Sequence, residues 1–390
     1  MGETIHHFKT IEDYKEYMEN SYQEPFVSCI NYDKTTIRYN KTEEEKERER
    51  LLRTPLTFEI QSDGDIIWKT NSTGSSRRTI EYSKDNGQTW TEITSATGDT
   101  APSISVVSGD TVQFRGNNAT YFNNMYYNWF SESTCSFSLK GNIMSLINST
   151  DFSDLTTLES AYTFYSMFRN CTGLTDASNL VLPATTLRGE CYQFMFEGCT
   201  NLTTAPALPA TTLVSSCYHG MFCSCTSLTQ APELPATTLA NHCYSHMFSG
   251  CTSLTQGPSS IGTPATTMVA SACTYMFANC KSLTTAPELP ATTLANYCYN
   301  GMFSNCNSLT TAPELPATTL AKGCYDAMFH YCSNLNYIKC LATDISASNC
   351  TYGWVNGVAS TGTFVKNSAM TGWTTGIGGI PSGWTVQDAS

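Results

Sequence analysis

The sequence predicts an α+β multidomain chain. It has an N-terminal anchoring segment over 1–54, a small β-sandwich over 55–140, a repeat solenoid over 141–340 and a C-terminal cap over 341–390. Three observations predict it. A Met-Phe pair recurs at Met167, Met195, Met221, Met247, Met276, Met302 and Met328, at steps of 28, 26, 26, 29, 26 and 26 residues. A fixed period in this range marks units that bury their apolar faces only against their neighbours. Before the repeats, short β-branched and aromatic runs are separated by Asp-Gly and Asn-Gly turn signals. After them the period fails, and Trp354, Phe364, Trp373 and Trp384 sit among Gly, Ser and Thr, the composition of a cap over the last rung.

In residues 1–54, Ile11, Tyr14, Tyr17 and Met18 fall at helical spacing, and 22–32 reads as extended. Thr42 and Glu45 have the spacing of a capping box that opens a charged helix through Arg53. The segment is too small and polar to close a core of its own. It reads as a flexible tail or as a segment that orders against a partner, and its aromatic content favours the second. Tyr14, Tyr17, Tyr22, Phe26 and Ile30 are the candidate anchor residues.

From Leu56 to about Leu139 the strand candidates are 58–60, 66–68, 79–82, 90–93, 104–107 and 111–114. Short strands at about ten-residue intervals predict a small sandwich. Trp68, Trp90 and Tyr121 are residues for a sugar platform or for the core, and the core is the commoner fate of a sandwich Trp.

Within one repeat, 228–234 (Leu-Thr-Gln-Ala-Pro-Glu-Leu) contains Pro and can only be a short extended piece. Residues 235–239 turn a corner. Cys243, Tyr244, Met247, Phe248 and Cys251, at offsets 0, 1, 4, 5 and 8, trace the apolar stripe of a short helix. A rung is then a short strand, a corner, a helical turn or two, and a return. Met-Phe-x-x-Cys-x-x-Leu followed by a Leu-Pro turn resembles the core of BspA-like leucine-rich repeats, known from surface proteins of gut and oral bacteria. The resemblance covers roughly 155–340, and departs from the common pattern in its 26-residue period and its Cys-Tyr pair. It implies a leucine-rich-repeat solenoid of about seven rungs.

Residues 79–90 and 112–117 resemble sandwich modules that accompany such repeats in gut Bacteroidetes proteins. Tyr22-Gln-Glu-Pro-Phe-Val-Ser-Cys-Ile-Asn, followed by the sandwich and repeats, resembles proteins of tailed phages of gut Bacteroides, including crAss-like phages. Together these resemblances imply a non-enzymatic virion fibre or receptor-binding protein. It would be a homo-oligomer that docks on virion structural proteins through its N-terminus and presents the repeats to a host surface glycan or protein. A bacterial cell-surface adhesin and an intracellular protein-binding scaffold are the alternatives.

Eighteen cysteines usually signal disulfides or metal. Here Cys243 and Cys251 lie eight residues apart, about 12 Å along a helix and too far to bridge. Their regularity is that of the rung: Cys191, Cys217, Cys243, Cys273, Cys298 and Cys324 form one column, and Cys199, Cys225, Cys251, Cys280, Cys306 and Cys332 another. Reduced packing ladders are expected. Zinc would want paired close clusters, and Cys223/Cys225 is a single pair.

A net charge of −12 with only 14% charged residues argues against nucleic acid or anionic membrane as the main partner. No apolar run approaches the roughly 18–20 residues that span a bilayer, and the start lacks the basic and apolar regions of a signal peptide. No G-x-S-x-G, H-E-x-x-H or phosphate-binding glycine loop is present, so no catalytic residue, cofactor or metal is expected. His219, His242 and His246 have no carboxylate at matching offsets. The adjacent threonine pairs, from Thr185/Thr186 to Thr318/Thr319, read as a hydrogen-bonded corner ladder. Positions that are fixed between copies should face the core, and those that vary should face solvent. Phe194, His219, His246, Tyr275, Asn300, Asp326, His330 and Tyr331 vary and form the candidate recognition face. The same variation equally fits an indifferent surface.

Overall fold

The computed structural model describes residues 3–7, 27–31, 36–70, 77–97, 100–121, 129–262 and 267–389. The chain divides into two compact units, Met1–Arg53 and Thr54–Ser390. In the first, β1 (Glu3–His7), β2 (Val27–Asn31) and β3 (Thr36–Asn40) form an antiparallel sheet in the order β1-β3-β2. Helix α1 (Glu43–Leu52) follows. Thr42 caps it by accepting from the Glu45 N–H at 3.1 Å, while the Glu45 carboxylate accepts from the Thr42 N–H at 2.8 Å. Of the anchor candidates, Tyr14, Tyr17, Tyr22 and Phe26 lie outside the described residues. Ile30 lies on β2, in register with Ile37 of β3.

The second unit opens with β4 (Leu56–Ile60), β5 (Gly64–Ile67), β6 (Thr79–Ser83), β7 (Thr91–Thr94), β8 (Ser103–Val106), β9 (Thr111–Gly116), β10 (Phe137–Asn142) and β11 (Leu174–Val181). Strands form at each apolar run, and β9 shows the expected alternation, with Val112, Phe114 and Gly116 buried. They do not make the self-contained sandwich expected. Six of them form one mixed sheet, β11-β10-β4-β9-β6-β7, and β5 and β8 pair as a separate ribbon. β11 comes from within the first repeat and pairs with β10 in parallel, Phe137 opposite Leu174, so one core runs from the sheet into the repeats. Trp68 and Tyr121 are fully buried in that core, with Trp68 stacked on Trp129 at 4.6 Å. Trp90 lies beneath the Arg115 guanidinium at 4.1 Å. No sugar platform joins these three residues.

The repeats correct the expected fold class most sharply. The helix in each leucine-rich rung is not there: among the described residues the one α-helix is α1, and no helix or regular strand lies between β11 and Tyr337. The chain is instead predominantly β and turn. In the second repeat, the N–H groups of Cys191, Gln193, Met195, Glu197 and Cys199 reach the carbonyl three residues back at 3.1–3.3 Å. An α-helix would reach four back. The N–H groups between them, on Glu190, Tyr192, Phe194, Phe196 and Gly198, reach carbonyls of the following repeat at 2.8–3.1 Å. Glu190, Phe194 and Gly198 have φ of 57°, 56° and 73°. A left-handed residue thus takes the third place of every second turn, as type II turns require. This four-residue rhythm shares the i, i+4 spacing of a helix, which is why the apolar stripe imitates one. The expected extended pieces are reduced to isolated parallel bridges such as Gln230–Gln256 and Thr212–Thr238.

Each turn chain, or arch, sends Met, Phe and a following Cys inward, in most copies with a Cys-Tyr pair before them, and all are buried. Phe168, Phe196, Phe222, Phe248, Phe277, Phe303 and Phe329 stack face to face at 5.4–5.8 Å. The second cysteine column explains itself through its donor. Each thiol donates a hydrogen bond to the Phe carbonyl of the preceding repeat, Cys251 Sγ to Phe222 O at 3.1 Å and Cys280 Sγ to Phe248 O at 3.1 Å among them. Cys135 and all the cysteines after it are free thiols. One column assignment is corrected. Cys273 stands in the tyrosine column, because its N–H bonds Cys298 O just as the Tyr218 N–H bonds Cys243 O. Ala272 takes the cysteine place, and the stacked tyrosines break between Tyr244 and Tyr299.

The chain ends in a parallel sheet of β12 (Tyr337–Cys340), β13 (Thr363–Lys366) and β14 (Thr385–Asp388). Trp354 stacks on Tyr325 and on Trp373, at 6.2 and 5.7 Å, and covers the core side of the last arch.

Candidate recognition surface

The left-handed positions decide what the arches show outward. Phe194, His246, Tyr275 and Tyr331 occupy them, with φ of 56°, 57°, 52° and 59°. Such a side chain leans over the backbone of the next repeat. A Cβ on Gly220 would meet the Phe194 ring at 2.5 Å, and one on Gly301 would meet the Tyr275 ring at 2.2 Å. Glycine suits the φ of +59° there, and the ring above leaves no room for a Cβ.

The structure joins four of the eight candidates into one strip. Tyr165 and Phe194 meet edge to face at 5.9 Å and Phe194 and His219 at 5.1 Å, while His219 and His246 at 5.6 Å and His246 and Tyr275 at 5.3 Å are tilted. All four candidates are half-buried, and the strip ends at Gly301, where no ring follows. Asn300 and Asp326 lie beyond it, linked by an Asn300 Nδ2 bond to Asp326 O at 3.2 Å. His330 and Tyr331 form a separate pair at 4.0 Å, with Tyr331 half-exposed over Gly357 and His330 Nε2 at 3.1 Å from Asn356 Nδ2.

Electrostatics divide the strip. At its N-terminal end Arg169 pairs with Glu197 at 2.8 Å and lies over the Phe194 ring at 5.3 Å. Burial raises the Glu197 carboxyl, and the Arg169 charge partly offsets that. In the middle, burial pushes His219 down to about 4, helped by His246 and His242. His246 is lowered by burial and by His242, and its Nδ1 lies 3.0 Å from Ser245 Oγ. At neutral pH the centre of the strip is therefore uncharged aromatic and imidazole surface. Among the described residues no group of three His, Cys, Asp or Glu could hold a metal.

Sequence reading missed Tyr165, Arg169 and Tyr297. Tyr297 leans over Gly323 and faces Lys322 at 5.6 Å. A signal was present: Phe194, Tyr275, Tyr297 and Tyr331 are each followed 26 residues later by Gly220, Gly301, Gly323 and Gly357.

Elsewhere the surface offers less. The described threonines of these pairs are exposed and bond along the corner, Thr237 N to Thr211 O at 3.0 Å. A groove of about 520 Å³ runs between Pro287, Glu288, Pro290, Pro313, Glu314 and Pro316, with Glu314 tied to Lys339 at 2.9 Å. The buried thiols are poor nucleophiles, since burial pushes Cys191, Cys243 and Cys298 up to about 12. No described helix is long and apolar enough to cross a membrane. Comparison with known proteins adds nothing to this geometry: no family model, no curated protein and no solved structure matches the chain.

Proposed function

We propose that this chain is a non-enzymatic recognition protein that reads a host surface glycan or protein with the outward ring strip of its repeats. The observation that carries the reading is the unbroken contact of Phe194, His219, His246 and Tyr275 across four repeats, at positions free to differ from copy to copy. Large rings with a polar edge supply contact area at low entropic cost, and aromatic residues are the usual energetic centres of interfaces. The proposal places the protein on a phage particle as a fibre-type component, joined to it through the first unit. That placement rests on the N-terminal resemblance.

The experiment replaces Phe194, His246 and Tyr275 together by Gly, the residue that already fills this arch position at 220, 301 and 353. The variant should fold, because the left-handed backbone is natural to Gly. Binding to a glycan array and to intact gut Bacteroides cells is compared with wild type and with a Thr211→Ser/Thr237→Ser control. Loss of at least about tenfold in affinity in the strip variant alone supports the reading, since one buried ring at an interface centre is worth more than about 1 kcal/mol. Unchanged binding in the strip variant, or equal loss in the control, refutes it.

A further inference from the structure

Beside the arch that Trp354 covers, the sheet of β12, β13 and β14 has one edge without a partner strand among the described residues. β14 pairs only with β13, in parallel, and all four of its residues are exposed. Thr385 N bonds Gly362 O at 2.8 Å and Ala389 N bonds Lys366 O at 2.7 Å. Backbone groups alternate sides along a strand, so the N–H and C=O of Val386 and Asp388 point away from the sheet. The arch beside it is open too. Ala327 and Tyr331 donate their N–H groups to the next arch, to Tyr352 O and Asn356 O. The corresponding N–H groups of Gly353 and Gly357 have no acceptor among the described residues, and a Cβ on Gly353 would meet nothing within 4 Å.

Apolar surface gathers at the same end. Of the five exposed large apolar side chains among the described residues, three, Tyr352, Ile377 and Val386, lie on or beyond the last arch. Natural edge strands are blunted by charge, Pro, a bulge or shortness. β14, Thr-Val-Gln-Asp, is short but has no Lys, Pro or bulge, and its one charge is already paired with Lys366.

We infer that β14 is a self-association surface on which a second copy of this chain pairs its own β14, antiparallel and about a two-fold axis through Gln387. Such an axis requires a self-complementary surface, and an open strand edge carrying both donors and acceptors provides one. In this register Val386 and Asp388 of one copy exchange both backbone bonds with Asp388 and Val386 of the other. Each carboxylate then faces a valine rather than its own kind. Gln387 meets its symmetry mate in a non-hydrogen-bonded pair, with Cα atoms about 4.5 Å apart. The two three-stranded sheets become one of six strands.

The test uses the full chain in sedimentation velocity over about 1–100 μM, with two variants. Val386→Pro removes an outward N–H and no bond to β13. Gln387→Cys places thiols at a separation suited to a disulfide across the axis. The expected results are a concentration-dependent step in mass that Val386→Pro abolishes without altering the circular dichroism, and a covalent dimer of Gln387→Cys on mild oxidation that a Thr385→Cys control does not form. Association unaffected by Val386→Pro, no association at all, or equal cross-linking at 385 and 387 overturns the inference.

Discussion

Adding one methyl group to Gly301 tests how the arches are built. Gly301 and Gly353 occupy the same arch position with the same φ of +59°, but a Cβ on Gly301 would lie 2.2 Å from the Tyr275 ring while one on Gly353 would touch nothing. Gly353→Ala therefore costs only the left-handed backbone term, about 1–2 kcal/mol. Gly301→Ala costs that term and must also lift Tyr275 off its contacts with His246 and the next repeat. Displacing a packed side chain in this way adds about 1–3 kcal/mol. Tyr275→Gly in the Gly301→Ala background should remove the second term and leave the first, giving a coupling energy of about 1–3 kcal/mol between the two sites. Urea denaturation of the four proteins, read as shifts in midpoint at constant slope, gives these differences. Equal destabilisation by Gly301→Ala and Gly353→Ala, or no coupling with Tyr275→Gly, would refute the claim that the Tyr275 ring rests on Gly301.

The remaining predictions follow from the same arches. Phe248→Ala, inside the face-to-face phenylalanine column, should destabilise by about 3–5 kcal/mol, and Ser249→Ala, one residue outward, by less than about 0.5 kcal/mol; similar denaturation midpoints would reverse the inside and outside of the arch. Native alkylation should label Cys223 before the other repeat cysteines, because it is the half-buried one among buried neighbours; early labelling of Cys251 or Cys280 would contradict the sealed column. His219 is neutral in the fold down to about pH 4 but takes a proton near 6.5 when unfolded. The unfolded state thus binds more protons between these values, so its contribution is complete above about pH 6.5 and lost as pH falls toward 4, by at most about 3 kcal/mol. His219→Gln should flatten that part of the stability profile, and an unchanged slope would place the titration elsewhere.

What could be read from the sequence follows from which forces act locally. The repeat period and the inward positions are legible because every copy must bury the same Met, Phe, Cys and Leu against its neighbours. The helix was misread because a turn chain with a left-handed residue every fourth position repeats apolar residues at i and i+4, as a helix does. The discriminating mark lies at the left-handed places, where Asn170, Gly198, Gly220, Gly250, Asn279, Gly301 and Asn305 supply the residue types that tolerate positive φ. The sandwich was read as self-contained because nothing local shows that Phe137 will pair with Leu174 in parallel. Cys273 was misplaced because matching cysteine to cysteine hides the one-residue offset that counting back from Met276 reveals. On the candidate surface, variation between copies pointed to Phe194, His219, His246 and Tyr275. Only coordinates separate this joined strip from the detached pair His330 and Tyr331.

The most direct measurement of the central claim is hydroxyl-radical footprinting of the full chain, free and bound to whichever glycan or cell-surface fraction it retains. Tyr165, Phe194, His219, His246 and Tyr275 react readily as side chains, and Tyr352 serves as an exposed reference distant along the chain. Recognition by the ring strip predicts that these five are protected together on binding while Tyr352 and the threonine corners keep their free reactivity. Protection confined to the corners, to the proline groove or to the first unit, with the strip still reactive, would contradict it.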